Sequence, residues 1–451
     1  MARHIETFKR FSVLLLLVLS VLTTMIDNIS LIANLHFYAY VLLIVCSFLV
    51  SKEIGVDIIW NVGFIYVIMS EMLFLPSYNL YYLDVVRYII IGNNIILGGY
   101  YCFKDKTSFK LGHYELTNRT WFIVFLIAMT ALYVAISLPH ALVAMERGRY
   151  YARGAHVGGR FGSFVEDFEY VIPAFWGYCF RNQKRGWVSS LLFSLPVFVI
   201  IIMSGTRFPL IFAVLGWALC TGLFNMYSYK TKHILYAALI LFVTILMTNN
   251  MMSSRVAGID ERGEWGTSRT RSNRSVAQRI VSYGSDEGVI QANTWLFDYC
   301  ERNGYTYGKQ SSFFLYWWVP RSVWKNKPEM TGRWLPQEYG TFRESHSSSI
   351  GIWGELYVDY GYYSFIVLFL WGLLLKRINS YCKYLSYKVS DIHIILVPVL
   401  FSFVFFAVRS PITSFVAMNI SAIIYFVFRY SVCKKITPIN VYGMQNLEIR
   451  N

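Results

Sequence analysis

The sequence predicts an all-α polytopic membrane protein with about twelve transmembrane helices and a large helical loop on its outer face. Three observations predict this fold class. Of the 451 residues, 56% are hydrophobic and only 15% are charged, which lies outside the range of soluble domains. Apolar stretches of membrane-spanning length recur along the chain, and the basic residues follow the distribution that membrane insertion imposes. The seven Cys are scattered singly, which excludes a disulfide-stabilised fold.

The predicted spans are mostly apolar stretches of roughly 16 to 25 residues. The first stretch follows a basic N-terminal segment and lacks a convincing small-residue cleavage site, so it is predicted to be a retained anchor rather than a signal peptide. The spans are predicted at 11–26, 30–50, 58–75, 85–103, 121–144, 164–180, 187–203, 207–228, 233–250, 357–375, 392–408 and 410–430.

The loops on one predicted face hold most of the positive charge. When the loops are assigned alternately to two faces, this face carries 21 Lys and Arg against 7 Asp and Glu. Such an excess marks the cytoplasmic loops of membrane proteins, so both termini are predicted to be cytoplasmic. The net charge of +15 is then explained by topology, and binding of nucleic acid is not predicted.

The two faces also differ in the type of positive charge. The cytoplasmic face has 13 Lys and 8 Arg, whereas the rest of the chain has 3 Lys and 17 Arg. The guanidinium group is a planar fork that matches phosphate and carboxylate, while ammonium is a strongly hydrated point charge. The arginine excess therefore favours an anionic ligand on the outer face. The alternative is that arginine simply replaces lysine in loops close to lipid headgroups.

Two outer segments concentrate these features and divide the chain. An arginine-rich external loop contains several glycines, which allow a backbone to approach a ligand closely. A second, much longer loop contains amphipathic and aromatic stretches, so it is predicted to fold as a cap on the outer leaflet, with a re-entrant segment as the alternative. The predicted parts are 1–250 with spans one to nine and the arginine-rich loop at 145–163, 251–350 as the cap loop, and 351–451 with spans ten to twelve and a cytoplasmic tail.

Several classes of function lack their sequence patterns. Few charged residues lie deep within the predicted spans, which argues against an ion-coupled pump. The chain contains no Walker loop, no HExxH, no GxSxG and no CxxC pair, and its eight His show no metal-ligand spacing. Neither a metal site nor a cofactor is predicted.

Three short segments resemble those of the O-antigen polymerases, the Wzy-type polymerases of oligosaccharide repeat units in bacterial inner membranes. The similarity of architecture extends along the whole chain, whereas the similarity of sequence is confined to these segments. They are residues 204–207 (SGTR), 320–328 (PRSVWKNKP) and 346–361 (HSSSIGIWGELYVDYG).

This resemblance implies a glycosyltransferase of the C class, with an all-helical membrane body and a periplasmic active site. Its partners would be undecaprenyl-diphosphate-linked oligosaccharides and membrane lipids, and a regulator of chain length is a further candidate. The product would be O-antigen or a related surface polysaccharide. An O-antigen ligase and a polysaccharide flippase or other transporter are the alternatives.

The family's Arg-x10-Gly pattern in two outer loops corresponds here to Arg147 with Gly158 and Arg343 with Gly354. The spacing occurs by chance elsewhere in the chain, so the location in outer loops carries the weight. A lipid diphosphate leaves with negative charge on its phosphate oxygens, which preorganised arginines stabilise without a metal. The diphosphate-binding set is expected to come from Arg147, Arg153, Arg207, Arg321 and Arg343.

The acceptor hydroxyl also needs a proton acceptor. His346 is the first candidate, because a neutral imidazole accepts a proton near pH 7 without a shifted pKa. Glu355 is the second, since Gly351 and Glu355 would share one face of a helix, and Glu344 is the third. The alternative for His346 is a hydrogen bond within its own loop.

Overall fold

The fold was obtained as a computed structural model of the chain. The structure describes residues 2–74, 81–102, 113–116, 118–147, 162, 165–204, 207–223, 225–227, 288–317, 319, 322–339, 348–387, 392–410, 423–425, 427, 429 and 433–436.

The first half of the described chain is almost entirely helical. Its helices are α1 (Ala2–Met25), α2 (Ile29–Ser51), α3 (Val56–Phe64), α4 (Ser70–Phe74), α5 (Tyr82–Cys102), α6 (Arg119–Arg147), α7 (Ile172–Phe180), α8 (Gly186–Met203) and α9 (Arg207–Thr221). A π-helical turn, Ile65–Met69, joins α3 to α4, and a 3-10 turn, Asp167–Tyr170, precedes α7.

The second half contains shorter helices followed by two long ones. They are α10 (Val289–Asn303), α11 (Phe313–Tyr316), α12 (Thr331–Glu338), α13 (Gly351–Tyr360), α14 (Ser364–Tyr387) and α15 (Leu396–Arg409). We call the side of the bundle that carries α10 the outer side and the opposite side the inner side.

Local chemistry fixes several helix ends. Asn28 accepts a hydrogen bond from the backbone N–H of Leu31 at 3.0 Å and so caps the start of α2. The same helix ends at Lys52, whose φ of 54° lies in the left-handed region. Arg87 closes the end of α1, because its guanidinium donates to Ile26 O at 3.0 Å and to Asp27 at 2.6 Å. The position of Arg87 near the membrane surface is thus explained by helix capping.

Seven segments in the described part of the chain are helical, long and apolar enough to cross a membrane, which is the architecture of an α-helical membrane protein. They are Thr7–Met25, Ile29–Ser51, Val56–Leu73, Arg119–Met145, Gly186–Met203, Gly351–Ser386 and Ile392–Arg409. The apolar part of α9, Pro209–Thr221, is shorter. The ninth predicted span and most of the twelfth lie outside the described residues.

Helix α5 lies at the centre of the bundle, between α1 and α14. Glycines bring α5 and α14 close together. A Cβ on Gly372 would lie 2.0 Å from Ile96 O, and one on Gly99 would lie 2.5 Å from Phe369 O. Small residues at such crossings are typical of membrane helix packing. The contact fixes α14 against α5 and so positions the segment that precedes α14.

That segment, α13, folds back against the bundle instead of extending α14 outward. Trp353 and Leu368 lie on opposite sides of Gly361 in the sequence, yet both approach Gly92, where a Cβ would lie 2.8 Å from the first side chain and 3.0 Å from the second. Gly361 makes the reversal with a φ of 55°. The tenth predicted span, 357–375, is therefore divided at Gly361, and α13 is buried over most of its length.

Two short strands, absent from the predicted all-α class, occur on the inner side. β1 (His113–Leu116) and β2 (Cys433–Ile436) pair in antiparallel fashion. β1 comes shortly before α6, and β2 belongs to the C-terminal segment. The ribbon places these two segments on the same side of the bundle, in agreement with the predicted topology.

Candidate functional site

Three helix ends meet in the outer half of the bundle. α9 begins at Arg207, α15 ends at Arg409 and α13 begins at Gly351. α15 packs against both other helices. A Cβ on Gly351 would lie 2.9 Å from Val408 O, and the ring centroids of Phe406 in α15 and Phe212 in α9 are 5.0 Å apart. We call this place the helix-end cluster.

The helix-end cluster lies below the outer surface of the bundle. Val408 packs against Gly63 in α3, and Phe64 beside it contacts the Trp353 ring at 5.2 Å. Trp353 in turn packs on Gly92, which is ten residues or roughly 15 Å along α5 from Tyr82. Helix ends at such depth are tolerated where they are buried in protein or face water, and in transporters they form binding sites.

Two helix starts at the helix-end cluster favour an anion, while the end of α15 contributes the opposite partial charge. The first N–H groups of α9 and α13 have no partner within their own helices, and each helix start carries partial positive charge. Two of the three helix ends are arginines, Arg207 and Arg409. The start of α10 contrasts with these helix starts, because Glu71 accepts from the N–H groups of Ile290 and Gln291, each at 3.0 Å. There a carboxylate of the protein already occupies the anion position.

Glu355 is the one predicted proton acceptor among the described residues, and it lies in α13 next to the cluster. Its side chain is buried, one helical turn beyond Gly351. The predicted sharing of a helix face by these two residues is confirmed by the helix bounds.

Gly354, the glycine of the second Arg-x10-Gly pair, has a packing role. A Cβ at this position would lie 2.3 Å from Asn293 Oδ1 and 2.4 Å from Ile350 Cγ2. Asn293 in α10 donates through Nδ2 to Ile350 O at 2.8 Å and to Val289 O at 2.7 Å. The close approach lets α10 hold the start of α13 in place.

Asp359 and Gly361 lie at the end of the segment 346–361. They contact the turn that follows α10 on the outer side. Asp359 is buried and accepts from the N–H groups of Gln310 at 3.1 Å and Ser311 at 2.6 Å, and from the Thr306 hydroxyl. The ring of Tyr305 covers Gly361, where a Cβ would lie 2.6 Å from it. These residues stabilise the loop after α10 and face away from solvent.

Lys327 stabilises the loop that contains residues 320–328, the second of the three segments similar to O-antigen polymerases. Its Nζ donates to Trp317 O at 2.6 Å and Val319 O at 3.1 Å, and it lies 5.0 Å from the centroid of Phe313. The neighbouring Val323 is 77% exposed. The lysine thus holds the ends of this loop together and leaves its apolar tip exposed.

A polar network joins α10 to α12. The Tyr339 hydroxyl lies 2.8 Å from Trp295 O and also within hydrogen-bonding distance of Asp298, to which Arg302 donates at 2.5 Å. Burial, followed by a hydrogen bond with Asp298, raises the pKa of Tyr339 to about 12. This tyrosine therefore stays protonated and continues to donate at neutral pH.

The outer side also exposes large aromatic and aliphatic side chains. They suit the membrane interface, and aromatic faces also provide stacking surfaces for sugar rings. The exposed residues are Tyr305, Tyr307, Leu315, Val323, Trp324, Tyr360, Tyr362 and Tyr363.

A second polar cluster, which the sequence analysis did not identify, lies at the outer end of α6. His140 Nδ1 is 3.2 Å from Glu166 Oε1, and the Tyr133 hydroxyl donates to Glu169 Oε2 at 3.1 Å. The 3-10 turn after Glu166 packs against α9, and its Tyr170 ring lies 5.8 Å from Phe406. Two polar side chains seven residues apart in an apolar span were the pattern that could have revealed this cluster.

Most of the other predicted site residues fall at or beyond the limits of the described chain. Arg147 ends α6 and Arg207 begins α9, so their backbone positions are known, but their side chains are not described. The residues that lie outside the described part of the chain are Arg153, Arg321, Arg343, Glu344 and His346.

Within the described residues, no group of three or more His, Cys, Asp or Glu side chains could hold a metal ion. Comparison with known proteins gives no family: no family model, no curated protein and no solved structure matches the chain.

Proposed function

We propose that this protein is a polymerase of undecaprenyl-diphosphate-linked oligosaccharide repeat units. It acts on the periplasmic side of a bacterial inner membrane, spans that membrane twelve times and keeps both termini in the cytoplasm. The product is O-antigen or a related surface polysaccharide, and a chain-length regulator is a candidate partner.

The observation that carries the proposal is the helix-end cluster. Two helix starts and two arginines, Arg207 and Arg409, gather in the outer half of a membrane-embedded bundle. A lipid diphosphate would reach the cluster from the outer membrane surface, where its phosphates lie while its chain stays in the bilayer. Preorganised positive groups aimed at the phosphates stabilise the charge that develops as the glycan departs.

The reaction joins two lipid-linked substrates. The hydroxyl oxygen of the acceptor unit attacks the anomeric carbon of the donor glycan, and the bond from that carbon to the diphosphate oxygen breaks. The electron pair leaves with the lipid diphosphate, and a base takes the hydroxyl proton. The diphosphate-binding set comes from Arg147, Arg153, Arg207, Arg321 and Arg343, and the first candidates for the base are His346, Glu355 and Glu344.

The outer region around α10 favours the proposal of a polymeric substrate. α10 is tied to α4 through Glu71 and to the start of α13 through Asn293, so α10 and the helix-end cluster form one packed unit. The exposed tyrosines around it, Tyr307 and Tyr363 among them, offer faces on which sugar rings stack. A channel for a small ion would need no such surface.

Two other functions use the same ligand class. An O-antigen ligase would bind the same lipid diphosphate but transfer the glycan to the lipid A core, and a flippase would move the lipid-linked unit without chemistry. Deletion of the gene separates them. Loss of a polymerase leaves single repeat units on the core, loss of a ligase leaves none, and loss of a flippase retains lipid-linked units on the cytoplasmic leaflet.

The direct test uses purified full-length protein in lipid nanodiscs with a defined undecaprenyl-diphosphate oligosaccharide. Electrophoresis should show a ladder of lipid-linked products separated by one repeat unit. A Glu355→Gln variant that folds and gives a ladder as fast as the unaltered protein would remove Glu355 from the reaction. Absence of any elongation by the unaltered protein, with substrate binding intact, would overturn the proposed polymerase.

A further inference from the structure

The histidine–carboxylate pair at the outer end of α6 has the geometry of a general base with its orienting group. When His140 Nδ1 donates its proton to Glu166 Oε1, 3.2 Å away, Nε2 keeps its lone pair and can accept a proton. A carboxylate behind an imidazole fixes both the tautomer and the ring orientation in hydrolases and in metal sites. His140 is held in this way with its side chain 15% exposed as a whole and its Nε2 atom buried inside the protein.

The residues around His140 form a polar stripe on one face of α6. Tyr133, Ser137 and His140 follow each other at spacings of four and three residues, which places them on one side of the helix. Ser137 is 4% exposed, and its hydroxyl has no hydrogen-bond partner among the described residues. This hydroxyl adds a second polar group to the buried face that carries His140.

The stripe lies beside the proposed diphosphate site. The 3-10 turn that follows Glu166 packs against α9 near its start at Arg207, and through Tyr170 it contacts Phe406 in α15. Arg147, the last residue of α6, lies two helical turns beyond His140. One segment therefore connects a base to the helix ends that carry the positive charge.

We infer that His140, in place of His346, Glu355 and Glu344, takes the proton from the acceptor sugar hydroxyl, and that Glu166 is its positioning residue. This inference rests on the proposed polymerase function. As the acceptor oxygen bonds to the anomeric carbon, its proton moves to His140 Nε2, and the bond to the departing diphosphate oxygen breaks with its electron pair. The imidazolium then passes its proton to the released diphosphate or to water, which restores the neutral ring.

The test compares His140→Ala and His140→Gln with the unaltered protein in the nanodisc assay. Both variants should retain binding of the lipid-linked donor and lose about 10²- to 10⁴-fold in the rate of transfer, because neither alanine nor an amide accepts the proton. Added imidazole should restore part of the rate to His140→Ala but not to His140→Gln, whose side chain fills the space. Glu166→Gln should lower kcat and leave the KM for the acceptor unchanged, and Glu166→Asp should restore part of kcat.

His36→Ala is the matched control. His36 is a buried histidine of α2, and its Nε2 lies 3.2 Å from the Thr23 hydroxyl of α1, so it does not belong to the polar cluster at α6. It should keep its transfer rate once folded. A ladder at the unaltered rate from both His140 variants would overturn the inference and leave the polymerase intact. Loss of donor binding together with no rescue by imidazole would also overturn it, since that pattern indicates a structural residue. Failure of the unaltered protein to elongate would instead count against the proposed function.

Discussion

The inner and outer halves of the bundle bury polar groups in opposite ways. In the inner half, Asp57 accepts hydrogen bonds from Ser47 at 2.6 Å, Tyr101 at 2.9 Å and Tyr100 at 3.2 Å. In the outer half, the ends of three helices meet inside the protein and Ser137 has no described partner for its hydroxyl. Burial is similar in the two halves, so burial by itself does not separate structural groups from functional ones.

The two halves differ in whether the buried polar groups find their hydrogen-bond partners within the protein. The donors around Asp57 come from α2 and α5, and they close the inner half by linking both helices to α3. At the helix-end cluster two helix starts lie close together, and Arg207 and Arg409 are the terminal residues of α9 and α15. A group satisfied by its own protein stabilises the fold, whereas helix starts that meet inside a bundle favour an anionic ligand.

The largest expected effect comes from Arg207, compared with an arginine at the same place in a helix on the inner side. Arg207→Lys should reduce polymerisation roughly a hundred- to thousandfold, about 2.7 to 4 kcal/mol, because the charge stays but the planar fork is lost. Arg119 also begins a helix, and it donates to Cys179 O at 3.0 Å. Arg119→Lys should keep polymerisation within about twofold, since a surface substitution of this kind changes little.

Product ladders timed with equal amounts of folded protein measure both effects. Arg147, Arg153, Arg321 and Arg343 should be converted to lysine in the same series, because the diphosphate set is expected to come from all five. Polymerisation at the full rate by all five lysine variants would contradict the arginine clamp. An equal loss in Arg119→Lys would show that the assay responds to stability instead of to the outer site.

The second effect is on stability and belongs to the inner half. Asp57→Ala leaves the hydroxyls of Ser47, Tyr100 and Tyr101 without their acceptor, and each unsatisfied buried donor costs about 1 to 3 kcal/mol. Thermal unfolding in detergent should occur at a clearly lower temperature. Molecules that remain folded should polymerise normally, and a selective loss of kcat with unchanged stability would place Asp57 in the reaction instead.

The fold class was accessible from sequence because it depends on averages over many residues. Apolar stretches of the right length and the excess of basic residues in alternate loops are both collective patterns, and the helical membrane architecture confirms the class. The reversal at Gly361 was not accessible in this way. Its apolar neighbours on both sides fit one long span, and only the contacts of Trp353 and Leu368 with Gly92 show that the chain turns back.

The third prediction tests packing at the crossing of α5 and α14 with two adjacent glycines. A Cβ on Gly99 would lie 2.5 Å from Phe369 O, whereas one on Gly98 meets nothing within 4 Å. Gly99→Ala should destabilise the protein by about 1 to 3 kcal/mol through overpacking. Gly98→Ala should be neutral or gain up to about 1 kcal/mol from helix propensity. Equal melting temperatures for the two variants would contradict this helix contact.

The candidate site was only partly accessible from sequence, for a similar reason. Arginine content and the segments of family-like sequence predicted a site on the outer side and named Glu355, which lies beside the helix-end cluster. His140 and Glu166 are 26 positions apart and belong to no motif, so their pairing depends on how α6 meets the turn before α7. A tertiary contact of this kind leaves no local pattern, apart from polar residues on one face of an apolar helix.

The smallest expected effect is a difference in cysteine labelling without any loss of polymerisation, and it tests which half of the bundle faces outward. Tyr307 is 84% exposed on the outer side, while Cys102 is exposed at the inner end of α5. A membrane-impermeant maleimide applied to intact spheroplasts should label Tyr307→Cys at once and should reach Cys102 only after permeabilisation. Cys300 lies in α10 on the same outer side as Tyr307 but should stay unlabelled in both conditions. Burial, and then the charge of Asp359, raises the pKa of the Cys300 thiol to about 12, and only the thiolate attacks maleimide efficiently.

The three cysteines together separate orientation from accessibility. Labelling of Cys102 from outside, with Tyr307→Cys protected until permeabilisation, would invert the membrane orientation and place the helix-end cluster in the cytoplasm. A lipid-linked glycan would then be absent from its side of the membrane at the time of polymerisation, so the proposed function would fail with it. Labelling of Cys300 alongside Tyr307→Cys would leave the orientation intact but contradict the packing of α10 on α13, because that packing is what keeps the thiol buried. The outer site would then lack the rigid cover that holds Asn293 against the start of α13.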